Sequence, residues 1–333
     1  MKLSSSRLIR RRSRRTVQIV GLLLIAQAAM LFLMVYPSYK PTPHHVPLGF
    51  VGPRADAAAL SSRFRTELSM RTYPSEKAVR HAIEHRQIYG ALIERQPRAE
   101  LIIASAASPT VAQLLRQSVA PSAQKIEVSD VTPISSNDPH GAVIGLLVLP
   151  LISVSFAAVL ALGALRLRRR EYLASLAAYA VLGGIIVTSI LKFGFGALPG
   201  SFAALAAIVG LTLLAVTLGT AGLHRALGKL GVPLAALLFL FIGSPASGSG
   251  SAPEMLPGFW RQVGQFLPLG ANGSALRNTS YFDGNSIVGP LLVLSAYAVA
   301  GALLVAGADL VGRWRAASRE ARVPSEFKGL SAA

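Results

Sequence analysis

The chain has 333 residues, 52% of them hydrophobic and only 14% charged, with no cysteine and a formal net charge of +18. Soluble domains average about a quarter charged residues, so a wholly soluble globular protein is excluded, and the missing thiols exclude disulfides and thiolate metal sites. The basic excess does not indicate nucleic-acid binding, because its charges fall in clusters between long apolar runs.

The first cluster, Arg7, Arg10, Arg11, Arg12, Arg14 and Arg15, lies in a segment 1–16 expected to face the cytoplasm. It precedes an apolar run at 17–36, expected to be the first membrane span. "AQA" at 26–28 resembles a signal-peptide cleavage site, but apolar sequence continues through Val35 and favours an uncleaved anchor.

Residues 37–139 have ordinary soluble composition. "HVPLGFVG" (45–52) reads as a buried strand and "ADAAALSSRFRTELS" (55–69) has helical spacing. "YPSEKAVRHAIEHR" (73–86) predicts a helix with Ser75 as N-cap and Glu76 in its first turn. Strands follow at 87–94 and 99–106, then a helix at 108–119 with Pro109 in its first turn, and a strand at 125–134. Alternating strands and helices predict a small α/β domain, placed outside the cytoplasm by the topology below.

Five further apolar runs occupy 142–165, 173–191, 202–220, 230–243 and 286–311, within a membrane region at 140–311. Spanning a bilayer takes about 20 residues, so the fifth run of the six is short. Basic residues recur at Arg166, Arg168, Arg169 and Arg170, at Arg225 and Lys229, and in the tail 312–333 at Arg313, Arg315, Arg319 and Arg322. All fall on one side if both termini are cytoplasmic, as the positive-inside rule requires. The expected fold is therefore an α-helical polytopic membrane protein with six transmembrane helices and an extracytoplasmic α/β domain between helices 1 and 2. Attraction to anionic membrane lipids follows from the same charges. The runs hold no Lys, Arg, His or acidic residue but Asp309 near the cytoplasmic end of the last, with Lys192 just past the end of the third, which disfavours a proton-driven carrier. Glycines such as Gly184, Gly210, Gly219 and Gly301 permit close helix packing.

The stretch 244–285 is too long for a turn and too apolar for a linker. It reads as two short helices bracketed by prolines, forming either an external hairpin resting on headgroups or a re-entrant pair. Its candidate residues are Pro257, Gly258, Trp260, Pro268, Gly270, Tyr281 and Phe282; Trp260, Phe266, Tyr281 and Phe282 suit a membrane interface.

"RHAIEHR" (80–86) contains His81, Glu84 and His85 in the order H-x-x-E-H of the inverted zinc peptidases. On an ordinary helix the two histidines lie beside the apolar face, and the flanking Arg80 and Arg86 would repel a cation. The pattern is read as a solvated helix face, with no metal and no catalytic constellation.

The layout, with "VPLGFVG", "SEKAVRHAIEHRQIYGALI", "VSDVTPISSNDPHGAVIGLLVLPL" and above all "LPGFWRQVGQFLPLGANGSALRNTSYFDG", resembles the ABC-2 type export permeases, in particular the YhgE/Pip (phage-infection-protein-like) branch. The resemblance implies a permease subunit that moves a hydrophobic or amphipathic substrate, pairs with itself or a related permease, and takes its energy from a separate cytoplasmic ATPase. It also implies that the connection between the second and third spans docks on that ATPase, through Arg168, Arg169, Arg170, Glu171 and Tyr172. "GLHRALGKL" (222–230) lacks the glycine spacing and hydroxyl of a phosphate-binding loop, so the chain itself is not expected to hydrolyse ATP or to carry a cofactor. The alternative is a non-transporting scaffold or receptor whose external domain binds an envelope component.

Overall fold

The computed structural model describes residues 18, 20–22, 24–25, 27–36, 43–52, 67–95, 98–119, 126–165 and 167–320. The basic segment 1–16, most of the helix expected over 55–69, Arg166, the tail beyond 320 and the side chains of 309–320, Asp309 included, lie outside the described residues.

After the apolar helix α1 (Val20–Tyr36) come β1 (His44–Val51), β2 (Glu67–Thr72), α2 (Glu76–Glu84), β3 (Gly90–Arg95), β4 (Arg98–Ile103), α3 (Pro109–Val119) and β5 (Ile126–Asp130). They form one sheet in the order β2-β1-β3-β4-β5. β3 and β4 are an antiparallel hairpin, and the other neighbours are parallel, the β4–β5 crossover being made by α3. Helix α2 starts where expected, the Ser75 hydroxyl accepting from the Ala78 N–H at 3.3 Å. Its apolar residues Val79, Ala82 and Ile83 share a core with Val46, Leu48 and Phe50 of β1. One expectation is corrected. Residues 67–69, read as the end of a helix, belong to β2, with Leu68 opposite Val46 and Met70 opposite Leu48. Period-two pairing with β1 overrides the local helical spacing there.

Among the described residues, four helices are long and apolar enough to cross a membrane: Val143–Ala164, Arg169–Gly194, Phe202–Ala246 and Val288–Ala308. The first two are α4 and α5. The third folds back on itself. Helix α6 (Phe202–Leu227) ends at Gly228, whose φ of 59° is ready-made for glycine. The chain then reverses into α7, built from Gly231–Ala235, a π turn at Ala236–Ile242 and Gly243–Ala246. Gly231 lies on the backbone of Leu223, and Phe239 and Ala235 pack with Val216 of α6. The last long helix continues to Glu320, past the expected end of its span, and is preceded by two short helices, α8 (Gly258–Gln265) and α9 (Pro268–Tyr281), making it α10 (Val288–Glu320).

Large apolar side chains such as Leu146, Ile186, Phe193, Leu292 and Leu303 stay exposed on α4, α5 and α10. A belt of that extent is a surface made for lipid rather than water. By contrast α6 is buried at most positions between Leu205 and Gly222 and forms the hub. It meets α5 where Gly184 approaches Gly210, with 2.9 Å from a built Cβ to the Gly210 Cα, and α10 where Gly222 and Gly301 meet at 2.7 Å from such a Cβ to the carbonyl oxygen. These contacts are backbone on backbone, so nothing can rotate away. We expect Gly301→Leu, whose Cβ would overlap the Leu218 backbone, to cost about 1–3 kcal/mol or more. Gly307→Leu on the same helix, with nothing within 4 Å of its Cβ, should be neutral. Thermal unfolding of the two variants in detergent checks the contrast.

Candidate functional site: a helix pair wedged into the bundle

Helix α9 is composed like a surface helix, with Asn272, Ser274, Arg277, Asn278, Thr279 and Ser280. Yet Asn272, Arg277, Asn278 and Ser280 are buried along with Leu269, Ala271, Ala275 and Leu276. Polar groups survive burial only when paired. The Thr212 hydroxyl of α6 donates to Asn272 Oδ1 at 2.9 Å. Thr212 lies ten residues into α6, about 15 Å along its axis. Leu269 packs on Val148 and Ile152 of α4. Ser274 donates to Gln265 at 2.8 Å, Gln265 to the Ser247 carbonyl at 3.1 Å, and Arg277 to the Ser249 carbonyl at 2.9 Å. The pair thus packs against the long helices α4, α6, α7 and α10. Helix α8 enters beside α7 because Gly264 lets its backbone rest on the Ala246 carbonyl.

The open end of the pair is fused to the sheet domain. Ala252, Met255 and Phe282 belong to the same apolar core as β1, β3 and β4. Around that core run polar ties: Tyr89 Oη donates to Glu254 at 2.5 Å, Arg86 Nη1 to Asn278 Oδ1 at 2.5 Å, Arg261 to the His44 carbonyl at 3.2 Å and Ser286 to the His85 carbonyl at 3.0 Å. Burial, and then the Glu254 carboxylate, push the Tyr89 hydroxyl well above its ordinary range. Burial, with Arg86 nearby, pulls Arg277 down to about 10, so it stays cationic at neutral pH. Asp138, buried just before α4, accepts from the Ala142 and Val143 N–H groups at 2.9 and 3.1 Å and caps that helix.

Of the four aromatics expected at a membrane interface, Trp260 and Phe282 are buried and Tyr281 is partly buried. Trp260 packs with Ala246 and Leu256, with Leu33 of α1 beside them. Phe282 lies in the sheet-domain core beneath Arg86. Tyr281 bridges, its hydroxyl donating to the Ala197 carbonyl at 3.3 Å and accepting from the Ser135 N–H at 3.5 Å. Phe266 alone is exposed. Pro257 precedes α8 and Pro268 opens α9, positions that need no N–H donor. Gly258 has open space around it, whereas Gly270 lies against the Gly264 carbonyl.

At the far end of the bundle, Arg168, Arg169 and Arg170 are exposed at the start of α5. Their two neighbours differ, Glu171 being exposed and Tyr172 buried. Glu171 accepts from the Arg168 N–H at 3.1 Å and so caps its own helix. Tyr172, read as an aromatic anchor for a partner, is 3% exposed, packed with Val159, Leu176 and Leu218 and covered by the Arg225 guanidinium at 5.3 Å. Its position on the inward face of α5 makes it a core residue.

Several cavities adjoin the sheet domain. One of about 670 Å³ lies at the carboxyl ends of the parallel strands β4 and β5, lined by Ser105, Thr110, Gln113, Arg116, Asp130 and His140 among others, a usual ligand position in α/β sheets. Another of about 530 Å³ shares Thr110 and His140 and extends to Met34, Leu146 and the Gly/Ser stretch from Ser244 to Ser251. Sequence reasoning missed the junction residues Arg86, Tyr89, Asp138, Glu254 and Asn278. The detectable signal was "ANGSALRN", polar residues repeating through a segment bracketed by apolar runs. Comparison with known protein families, with curated proteins and with solved structures finds no match.

The Tyr89–Glu254 tie has a testable consequence. Tyr89→Phe should lower stability by about 1–3 kcal/mol, since it strips a hydrogen bond from a carboxylate. In the folded protein the Tyr89 hydroxyl keeps its proton far above 10.0, its unfolded value. Its contribution is therefore complete below that pH and is lost as pH rises beyond it. Unfolding measured from neutral to alkaline pH should show a steeper alkaline decline in the wild type than in the Phe variant.

Proposed function

We propose that this protein is the membrane subunit of an ABC-2 type exporter, moving a hydrophobic or amphipathic substrate across the cytoplasmic membrane with energy from a separate ATPase. The observation that carries the reading is the α8–α9 pair. Short helices with polar side chains, reaching about 15 Å along α6 through Asn272 and Thr212, are tolerated at membrane depth only where they pack on protein or border a solvated path. Such a pair has no purpose in a simple anchor.

Six spans fit this reading: α1, α4, α5, the two arms α6 and α7 of the hairpin, and α10. The α7 arm is short, 16 residues from 231 to 246, or about 24 Å, and the inserted helix pair fills the space beside its outer end. Arg168, Arg169, Arg170, Arg225 and Lys229 gather at the bundle end opposite the sheet domain. That distribution supports a cytoplasmic position for this end and an external one for the sheet. With Tyr172 buried, the three exposed arginines and the exposed Glu171 beside them are the surface on which an ATPase would dock. The apolar faces of α1 and α5 face lipid or a second permease copy. A scaffold or receptor role is favoured by one observation, the polar cleft of about 670 Å³ in the sheet domain.

Affinity purification from the native membrane separates the two. An ATPase that co-purifies, and whose hydrolysis the permease stimulates, supports export; recovery with envelope proteins alone supports the scaffold. Charge reversal at Arg169 and Arg170 should weaken that ATPase association while Tyr172→Phe leaves it intact.

Sidedness is checked separately. Ser118→Cys, exposed on α3, should react with an impermeant maleimide in intact cells, and Ser318→Cys should not. The reverse pattern would overturn the orientation.

A further inference from the structure

We propose that His81, Glu84 and His85 form a binding site for a divalent transition-metal ion on the sheet domain. The three residues sit at i, i+3 and i+4 at the end of α2, on one side of the helix. Their ligand atoms all lie within 4.8 Å of one another, and the imidazole centroids are 4.1 Å apart. Small rotamer adjustments bring two imidazole nitrogens and a carboxylate oxygen onto one ion, a donor set suited to zinc, nickel or copper.

The objection raised by the sequence was repulsion from the flanking arginines, and the fold removes it. Arg80 is held by Glu76 through bonds of 2.8 and 3.0 Å, one turn back along the helix. Arg86 has φ +53°, a left-handed turn that swings its guanidinium away to Asn278 at 2.5 Å and over the ring of Phe282. Both cations are thus directed elsewhere.

Ring orientation is also arranged in advance. His85 Nδ1 lies 2.9 Å from the His81 carbonyl. A carbonyl can only accept, so in the neutral ring Nδ1 carries the proton and Nε2 keeps the lone pair that a metal would take. This is the outer-shell contact by which protein metal sites fix a histidine tautomer. The His85 carbonyl in turn accepts from Ser286 at 3.0 Å, which ties the site to the start of α10. Two of the three residues are exposed and His85 is partly so, so water completes the coordination. Glu84 is itself a ligand here, and no peptidase chemistry is implied.

The test uses the full chain in detergent, stripped with a chelator and titrated with Zn²⁺ alone. One equivalent should bind in the micromolar range. Binding should weaken in His81→Ala and in His85→Ala by at least the roughly 10- to 100-fold that loss of an outer-shell partner costs. Glu84→Gln should weaken it less. His44→Ala/His45→Ala should retain it, and Cu²⁺ paramagnetic resonance should show two coordinating nitrogens that the double variant His81→Ala/His85→Ala lacks. Unchanged thermal unfolding of the metal-free variants shows that the fold survives. Absence of zinc binding by the wild type, or binding that persists in the double variant, overturns the proposal.

Discussion

The arrangement depends on one constraint: a polar helix, α9, is buried, and its three principal polar residues are met by groups that other elements bring to them. Asn272 needs Thr212 from the middle of α6. Arg277 needs the Ser249 carbonyl from the Gly/Ser stretch, and Asn278 takes Arg86 from the sheet domain. Unpaired, such groups would each cost about 1–3 kcal/mol in a protein interior. Paired, they hold α6, the loop and the sheet domain in one register. The Gly/Ser composition of the loop follows from this, because Gly145 and Gly273 stand close to its backbone and side chains and larger residues would not pass.

From that register the division of the molecule follows. The sheet domain does not hang from a flexible stalk; its core runs on through Ala252, Met255 and Phe282 into the inserted pair. Helix α9 is therefore the packed connection between the long helices and the sheet domain. On the exporter reading proposed above, it would join the end where Arg168, Arg169 and Arg170 lie exposed to the sheet domain. The buried Tyr172, packed with Val159, Leu176 and Leu218, joins the base of α5 to α4 and α6.

Close helix contact sets the geometry of the hub. Gly184 on Gly210 and Gly222 on Gly301 bring the axes of α5 and α10 onto α6 without side chains between them. In lipid, where apolar surface gains little by leaving its surroundings, this kind of dense backbone contact is what holds helices together.

The apolar runs, their lengths and the clusters of arginine were legible in the sequence, because partition into a bilayer is decided by local composition. So were α2 with its Ser75 cap and the short helices of 244–285, since caps and prolines act over a few residues. The strand β2 was not legible; only pairing with β1 selects it over a helix. Nor were the inward turn of Tyr172 and the burial of Trp260 and Phe282, because an aromatic beside charges or prolines has the same sequence whether it faces lipid or core. The partners of α9 lie up to 192 residues away, as Arg86 does from Asn278. Such pairs carry no periodicity and no spacing, so the tertiary structure alone decided which polar groups of this apolar chain meet.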